Sequence, residues 1–154
     1  MTDHRKENSR VRPVRESDSA AVSRLQRWLD NPSPELLELG LRAERATGIG
    51  VLVSTAQENN EREASTIVGY LLFADGADDR HVAELVVAPE HRRSGRGREL
   101  LETAIAGSPG PITVLVAADN DAARSLYASC GFEARERRPN EYGERDGLLY
   151  RRDR

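Results

Sequence analysis

The chain has 154 residues, 38% hydrophobic and 32% charged, with 23 Lys and Arg against 26 Asp and Glu for a net charge of −3. That length is one domain's worth and enough to bury a core, and the negative balance argues against nucleic acid as a partner. No apolar run approaches the roughly 20 residues of a membrane span, and the single cysteine, Cys130, excludes an internal disulfide and a cysteine-built metal site.

The first ten residues, MTDHRKENSR, are polar throughout and read as a flexible start without the apolar stretch of a signal peptide. A single domain over 11–154, in the cytoplasm, is the expectation. Val11 to Val14 reads as a short strand. Ser17 is placed to cap a helix from about Asp18 to Asp30, with Val22, Leu25 and Leu29 on one face. Ser33-Pro34 starts a second helix, because proline suits the first helical position; Leu36, Leu37 and Leu41 give it an apolar side. Strands follow over Val51 to Thr55 and Ile67 to Phe73, separated by a polar loop from about Gln57 to Ser65. Asp75 to Asp79 is a turn, and His81 to Ala88 a strand ending at Pro89. A helix is predicted from Arg93 to about Ala106, a strand over Ile112 to Ala117, and a short helix opened by Asp119 and Asn120 and stopped at Gly131. Phe132 to Arg138 and Leu148 to Arg152 form the arms of a last hairpin. This order describes a mixed α/β domain round one sheet, and its lack of βαβα alternation excludes a doubly wound dinucleotide fold.

Arg92, Arg93, Arg96 and Arg98 crowd into one loop of an acidic chain, which points to a compact anionic ligand. The loop Arg92-Arg93-Ser94-Gly95-Arg96-Gly97 lies between an apolar strand and an amphipathic helix. A helix start leaves backbone N–H groups unpartnered and carries the positive end of the helix dipole. Glycines let a ligand approach the backbone, and arginines add bidentate phosphate contacts. The plain alternative is a glycine-softened turn with solvated arginines.

The run Val87-Ala88-Pro89 and the Arg-x-x-Gly-x-Gly loop resemble the coenzyme-binding motif of the GNAT family of N-acetyltransferases. The stretch Asn120-Asp121-Ala122-Ala123-Arg124-Ser125-Leu126-Tyr127, followed by Cys130-Gly131-Phe132, is similar to the family's second motif. The two sit 23 residues apart, from Gly97 to Asn120, as a helix plus a strand requires. The resemblance covers 66–138 strongly and 11–55 more weakly. It implies an α+β fold with a central mixed, mostly antiparallel sheet of six to seven strands flanked by about four helices. It also implies acetyl-CoA as cosubstrate without a metal, its pyrophosphate on the amides of Arg92 to Arg98, and its pantetheine arm beside the backbone of Leu85, Val86 and Val87 and beside Asn120.

Tyr127 is implied by the resemblance to protonate the departing thiolate; its structural alternative is a half-buried core aromatic. A phenol suits the task, since its pKa of about 10 lies within reach of a thiol's roughly 8.5. Asn120 is also a natural helix cap. Glu84 and His81 lie on the strand before the loop, where a base for the acceptor amine is wanted. Alternation puts Glu84 with Val82 and Val86, opposite Leu85 and Val87; its plain role is a charge on the cleft wall. His81 stands at the strand's start, and Cys130 reads as a small core residue.

The tail Arg137-Arg138-Pro139-Asn140-Glu141-Tyr142 with Asp146-Gly147 is similar to that of the ribosomal-protein-alanine N-acetyltransferases. Those enzymes carry a glutamate in the strand that reads Val114-Leu115-Val116-Ala117 here, so the base has moved, with Glu84 as the candidate, or the substrate differs. The segment around Glu84 to Gly95 also resembles one half of mycothiol synthase, which acetylates a small amine. The leading reading is an N-acetyltransferase acting on a primary amine, a protein N-terminus or a small molecule, by direct transfer. The alternative is a non-catalytic acetyl-CoA-binding domain. A homodimer paired through the Leu148 to Arg152 strand is the quaternary expectation.

Overall fold

The computed structural model describes residues 10–42, 48–57 and 65–153. The flexible start expected at residues 1–10 lies outside the described residues except for Arg10, and so does most of the polar loop expected between Gln57 and Ser65.

Among the described residues seven strands form one sheet: β1 (Val11–Pro13), β2 (Ile49–Gln57), β3 (Ser65–Asp75), β4 (Arg80–Val87), β5 (Ile112–Ala117), β6 (Glu133–Tyr142) and β7 (Arg145–Arg152). Their spatial order is β1-β2-β3-β4-β5-β7-β6. Every neighbouring pair is antiparallel except β4 and β5, which run parallel. Four α-helices among the described residues flank the sheet: α1 (Ser19–Leu25), α2 (Pro34–Leu41), α3 (Arg96–Ala106) and α4 (Asp121–Ser129). The mixed, mostly antiparallel sheet with four helices is therefore the fold that forms. No helix among the described residues is long and apolar enough to cross a membrane.

Local chemistry explains several helix ends. Pro34 opens α2 at its first turn. Asn120 caps α4, its Oδ1 accepting the Ala123 N–H at 3.2 Å. Gly131 follows with φ of 87°, a left-handed conformation that glycine adopts at no steric cost. Two expectations are corrected. Ser17 does not cap the first helix: Asp18 reaches back to accept the Arg15 N–H at 2.7 Å and pairs with Arg12 at 2.6 Å. The segment then breaks into 3-10, α and 3-10 turns and ends at Trp28. The last strand, β7, is not at the sheet edge: it inserts between β5 and β6, so the edge open to pairing across a dimer is β6.

Two cores sandwich the sheet. On one face Leu100, Leu101 and Ala104 of α3 and Tyr127 of α4 pack on Leu71, Val82, Ile112, Val114 and Val116. On the other, Val22 and Leu25 of α1 and Leu37 of α2 pack on Val51, Val53, Leu72 and Val86. Each fully buried Leu or Val contributes on the order of 1.5–3 kcal/mol. At the end of the first core Arg80 is buried, forking Asp75 at 2.7 and 3.0 Å, donating to the Ala104 carbonyl and lying over the Phe73 ring.

The sheet departs from simple alternation in β4. Leu72 faces Glu84 and Phe73 faces Val82, so Ala83 is an extra residue on β4, a bulge. The bulge moves Val82 to the face of Leu85 and Val87, in the α3/α4 core. Glu84 stays with Val86 on the α1/α2 side. Alternation through Val82, Glu84 and Val86 is thus corrected by one inserted residue.

Candidate functional site

The parallel ladder between β4 and β5 holds only at Arg80–Ile112, His81–Thr113 and Val82–Val114. Beyond the bulge the two strands part. Between them opens a cleft of about 160 Å³, with Glu84 and Leu85 on one wall, Leu115 to Ala117 on the other, and Asn120, Ala123 and Tyr127 of the α4 segment at one end. Two parallel strands leave unpaired backbone groups along such a split, which an extended ligand with amide groups can satisfy.

Tyr127 faces this cleft from α4 and is 6% exposed. Its ring is braced by Phe132 and Tyr150, with centroids 5.9 and 6.0 Å away. Burial first, and the nearby Tyr142 phenol second, hold its hydroxyl well above a phenol's ordinary value of 10.0. Tyr127 therefore keeps its proton at neutral pH, as a donor must.

The loop continues directly from β4. Arg92 Nε donates to the Val87 carbonyl at 2.9 Å, Ser94 Oγ to the His91 carbonyl at 2.8 Å, and Gly95, at φ of 81°, is the N-cap of α3. Arg93 is exposed and takes a left-handed φ of 64°, and with Gly95 it coils the backbone round the helix start. The four arginines are not equivalent. Arg96 is turned inward and 9% exposed, donating to Ser54 Oγ and the Thr55 carbonyl at 3.1 and 3.0 Å; what it offers an anion is its backbone N–H. Arg98 leans onto α4, donating to Ser129 Oγ at 2.6 Å and reaching Cys130 Sγ at 3.6 Å. Arg92 and Arg93 remain as exposed cations at the loop. A Cβ built on Gly97 would stand 3.5 Å from Leu126 and 4.0 Å from Val87, so this glycine marks where α3, α4 and the end of β4 meet.

Glu84 lies in the cleft wall but is 4% exposed. Its carboxylate accepts from the Ser33 N–H at 2.6 Å, from Tyr70 Oη at 2.9 Å and from Gln26 Nε2 at 3.1 Å. It ties the α1–α2 segment to the bulged strand. His81 lies outside the cleft lining, its Nδ1 2.8 Å from Thr113 Oγ1. Burial, then the Arg138 charge, pull its imidazole below the ordinary 6.5, while Asp79 opposes them. A neutral, half-buried histidine of this kind supports folding fully above 6.5; below that value the unfolded chain takes up the proton first and stability declines. Urea midpoints from about pH 7 to 5.5 should therefore fall more steeply for the native chain than for His81→Gln. Equal slopes would remove His81 from the acid response.

Sequence reasoning missed the mouth of the cleft. Asp30 and Asn31 border it from the α1–α2 connection, and Tyr142 and Arg145 from the β6–β7 hairpin. Arg145 forks Asp119 at 2.7 and 3.2 Å and approaches Asp30 at 3.8 Å, joining three segments across the opening. In the hairpin, Asp146 accepts from the Asn140 N–H at 3.0 Å and from Arg137 at 2.9 Å. The Arg137 to Asp146 stretch had been noted as a pattern, but these pairings cross a turn whose register the sequence does not display. No three metal-ligating side chains come together among the described residues.

Comparison with known proteins agrees with this arrangement. The model of the acetyltransferase (GNAT) domain matches residues 43–134. Mycothiol acetyltransferase of Clavibacter michiganensis subsp. michiganensis is 33% identical over 144 residues, covering 80% of this chain and 44% of the relative. The chain thus spans less than half the length of that curated relative. Among solved structures, the ribosomal-protein-S18-alanine N-acetyltransferase from Escherichia coli superposes with a TM-score of 0.76 at 22% identity, over 93% of this chain and 92% of its own. Arabidopsis thaliana NAA60, solved with a bisubstrate analogue, gives a TM-score of 0.78 at 16% identity, over 94% and 98%. With the domain match spanning more than half of its residues, the chain belongs to the GNAT acetyltransferase family.

Proposed function

We propose that residues 11–154 form a single acetyl-CoA-dependent N-acetyltransferase domain that passes the acetyl group directly to a primary amine in a ternary complex. The observation that carries this reading is the β4–β5 split: Tyr127 lines the cleft it opens, and the strand that forms one wall, β4, leads on into the glycine loop at the head of α3. The backbone N–H groups of Arg92 to Arg98 at the helix start suit the pyrophosphate, with Arg92 and Arg93 supplying charge. The freed edge of Leu85 to Val87 suits the amides of the pantetheine arm, and Asn120 borders it. The amine reaches the thioester from the mouth framed by Asp30, Tyr142 and Arg145.

In the reaction the amine lone pair attacks the thioester carbonyl, the C–N bond forms, and the C–S bond breaks. Tyr127 gives its proton to the leaving thiolate and is reprotonated from solvent. The acceptor's own proton passes to cleft water. We assign Glu84 to positioning rather than to the base role, because three donors already occupy its carboxylate. Neither nucleic acid nor membrane enters this reading, and a reducing cytoplasm suits the lone thiol of Cys130. A primary amine is the acceptor class; the relatives offer both protein N-termini and small molecules.

The test is thermal unfolding with coenzyme A, together with thiol release from acetyl-CoA across peptide and small-amine acceptors. Binding at 100 times Kd stabilises by about 2.7 kcal/mol. Stabilisation with thiol release supports the enzyme; stabilisation without turnover on any amine supports a binding domain instead. Gly97→Ala sharpens the test. The new methyl meets only ordinary van der Waals contacts and sits in a helix, so stability should hold or rise. Coenzyme A affinity should fall about tenfold, because the methyl enters the gap by which the ligand approaches the amides. Unchanged affinity would place the ligand elsewhere.

A further inference from the structure

Arg10, just before β1, reaches across to the loop at the head of α3. Its Nη2 donates to the Ser94 carbonyl at 3.1 Å, and its guanidinium forks the carboxylate of Glu99, with Nε 3.1 Å from Oε2 and Nη2 on Oε1. Its own carbonyl accepts the Thr55 N–H at 2.7 Å, so its backbone is anchored to β2. Glu99 lies in the first turn of α3, and a Cβ built on Gly95 would stand 4.0 Å from its Oε1. An ionised carboxylate there competes with any phosphate for the same helix N-terminus, since both are anions drawn to the same dipole and N–H groups. A helix start that must receive an anion is poorly served by a bare glutamate.

We infer that Arg10 is a positioning residue for the proposed cofactor loop: it neutralises Glu99 beside the phosphate site and tethers the loop by its hydrogen bond to the Ser94 carbonyl. The inference rests on the proposed pyrophosphate site at this loop. It assigns a role to a residue outside the Arg92–Arg98 cluster and 84 positions from Ser94 in sequence. Glu99 then serves as the handle by which the segment before β1 orders the loop. Its charge is tolerated only while the pair is intact.

Three variants, Arg10→Ala, Glu99→Gln and Arg10→Ala/Glu99→Gln, are titrated with coenzyme A at low and high salt, and KM and kcat are read separately. Arg10→Ala should weaken coenzyme A binding about tenfold at low salt and raise the KM for acetyl-CoA with little change in kcat. The loss should shrink as salt screens the unmasked charge. In the double variant most of the affinity should return, because the competing carboxylate is gone; a purely structural role for Arg10 predicts no such rescue. Affinity for Arg10→Ala within twofold of the native chain, or a double variant as weak as Arg10→Ala, overturns the inference while leaving the cofactor site standing. A native chain that does not bind coenzyme A overturns the site and the inference together.

Discussion

Replacing Tyr127 with phenylalanine is expected to lower kcat about 100-fold while changing the Kd for coenzyme A by less than about twofold. The substitution removes one oxygen and leaves the ring in its pocket between Phe132 and Tyr150. Packing is preserved, so the loss isolates the hydroxyl. Burial keeps that hydroxyl protonated, and the leaving thiolate is the basic product for which a proton donor is needed. The effect should shrink when a thioester with a more acidic thiol replaces acetyl-CoA, because a better leaving group needs less protonation. Unchanged kcat in Tyr127→Phe would show that solvent protonates the thiolate and would reduce Tyr127 to a core aromatic.

Glu84→Ala is expected to destabilise the fold by about 3 kcal/mol, since it strands three donors around a buried hole. The Ser33 N–H, the Tyr70 hydroxyl and the Gln26 amide all lose their acceptor at once. Burial, the largest of the causes that hold the Tyr70 phenol far above its ordinary value, persists without Glu84, so Tyr70 remains a donor and does not adapt by ionising. Glu84→Gln is the informative partner. Ser33 and Tyr70 donate to different oxygens of Glu84, and in glutamine one of those two positions becomes an NH2 group that cannot accept, so a loss of about 1–2 kcal/mol is expected. Because Ser33 opens α2 and the preceding Leu29 to Asn31 border the cleft, the kinetic signature should lie in the KM for the amine. A general base predicts the reverse, a collapse of kcat with a lost acidic limb in its pH profile and an unaltered KM. Unfolding midpoints and steady-state kinetics on Glu84→Gln distinguish the two.

Much of the architecture was legible in the sequence because it is set locally. The Ile112–Ala117 strand, the Asn120 cap and the Ser33-Pro34 helix start each depend on residues within one turn of themselves. The glycine loop was legible for the same reason, as a strand, a glycine turn and a helix in succession. What escaped depends on pairing at a distance. The bulge at Ala83 changes the facing of Val82, yet one inserted residue leaves no mark on a period-two pattern, because the bulge is defined by the pairing with Leu72 and Phe73 on β3. The insertion of β7 between β5 and β6 depends on long-range register. Arg96 read as one more loop cation, but Ser54 and Thr55, more than 40 positions away, draw its side chain inward. At the mouth, the pairing of Arg145 with Asp30 and Asp119 likewise gathers three segments that share no local signature.

The proposed function requires a single extended ligand to reach from the glycine loop at the head of α3 along the β4–β5 split to Tyr127. A crystal structure of the chain with coenzyme A tests it most directly. The pyrophosphate is expected on the backbone N–H groups of residues 92–98, the pantetheine arm along Leu85 to Val87 in the β4–β5 split, and the thiol within about 3.5 Å of the Tyr127 hydroxyl. Coenzyme A bound away from the split, or seated in it with its thiol beyond reach of Tyr127, would contradict the account.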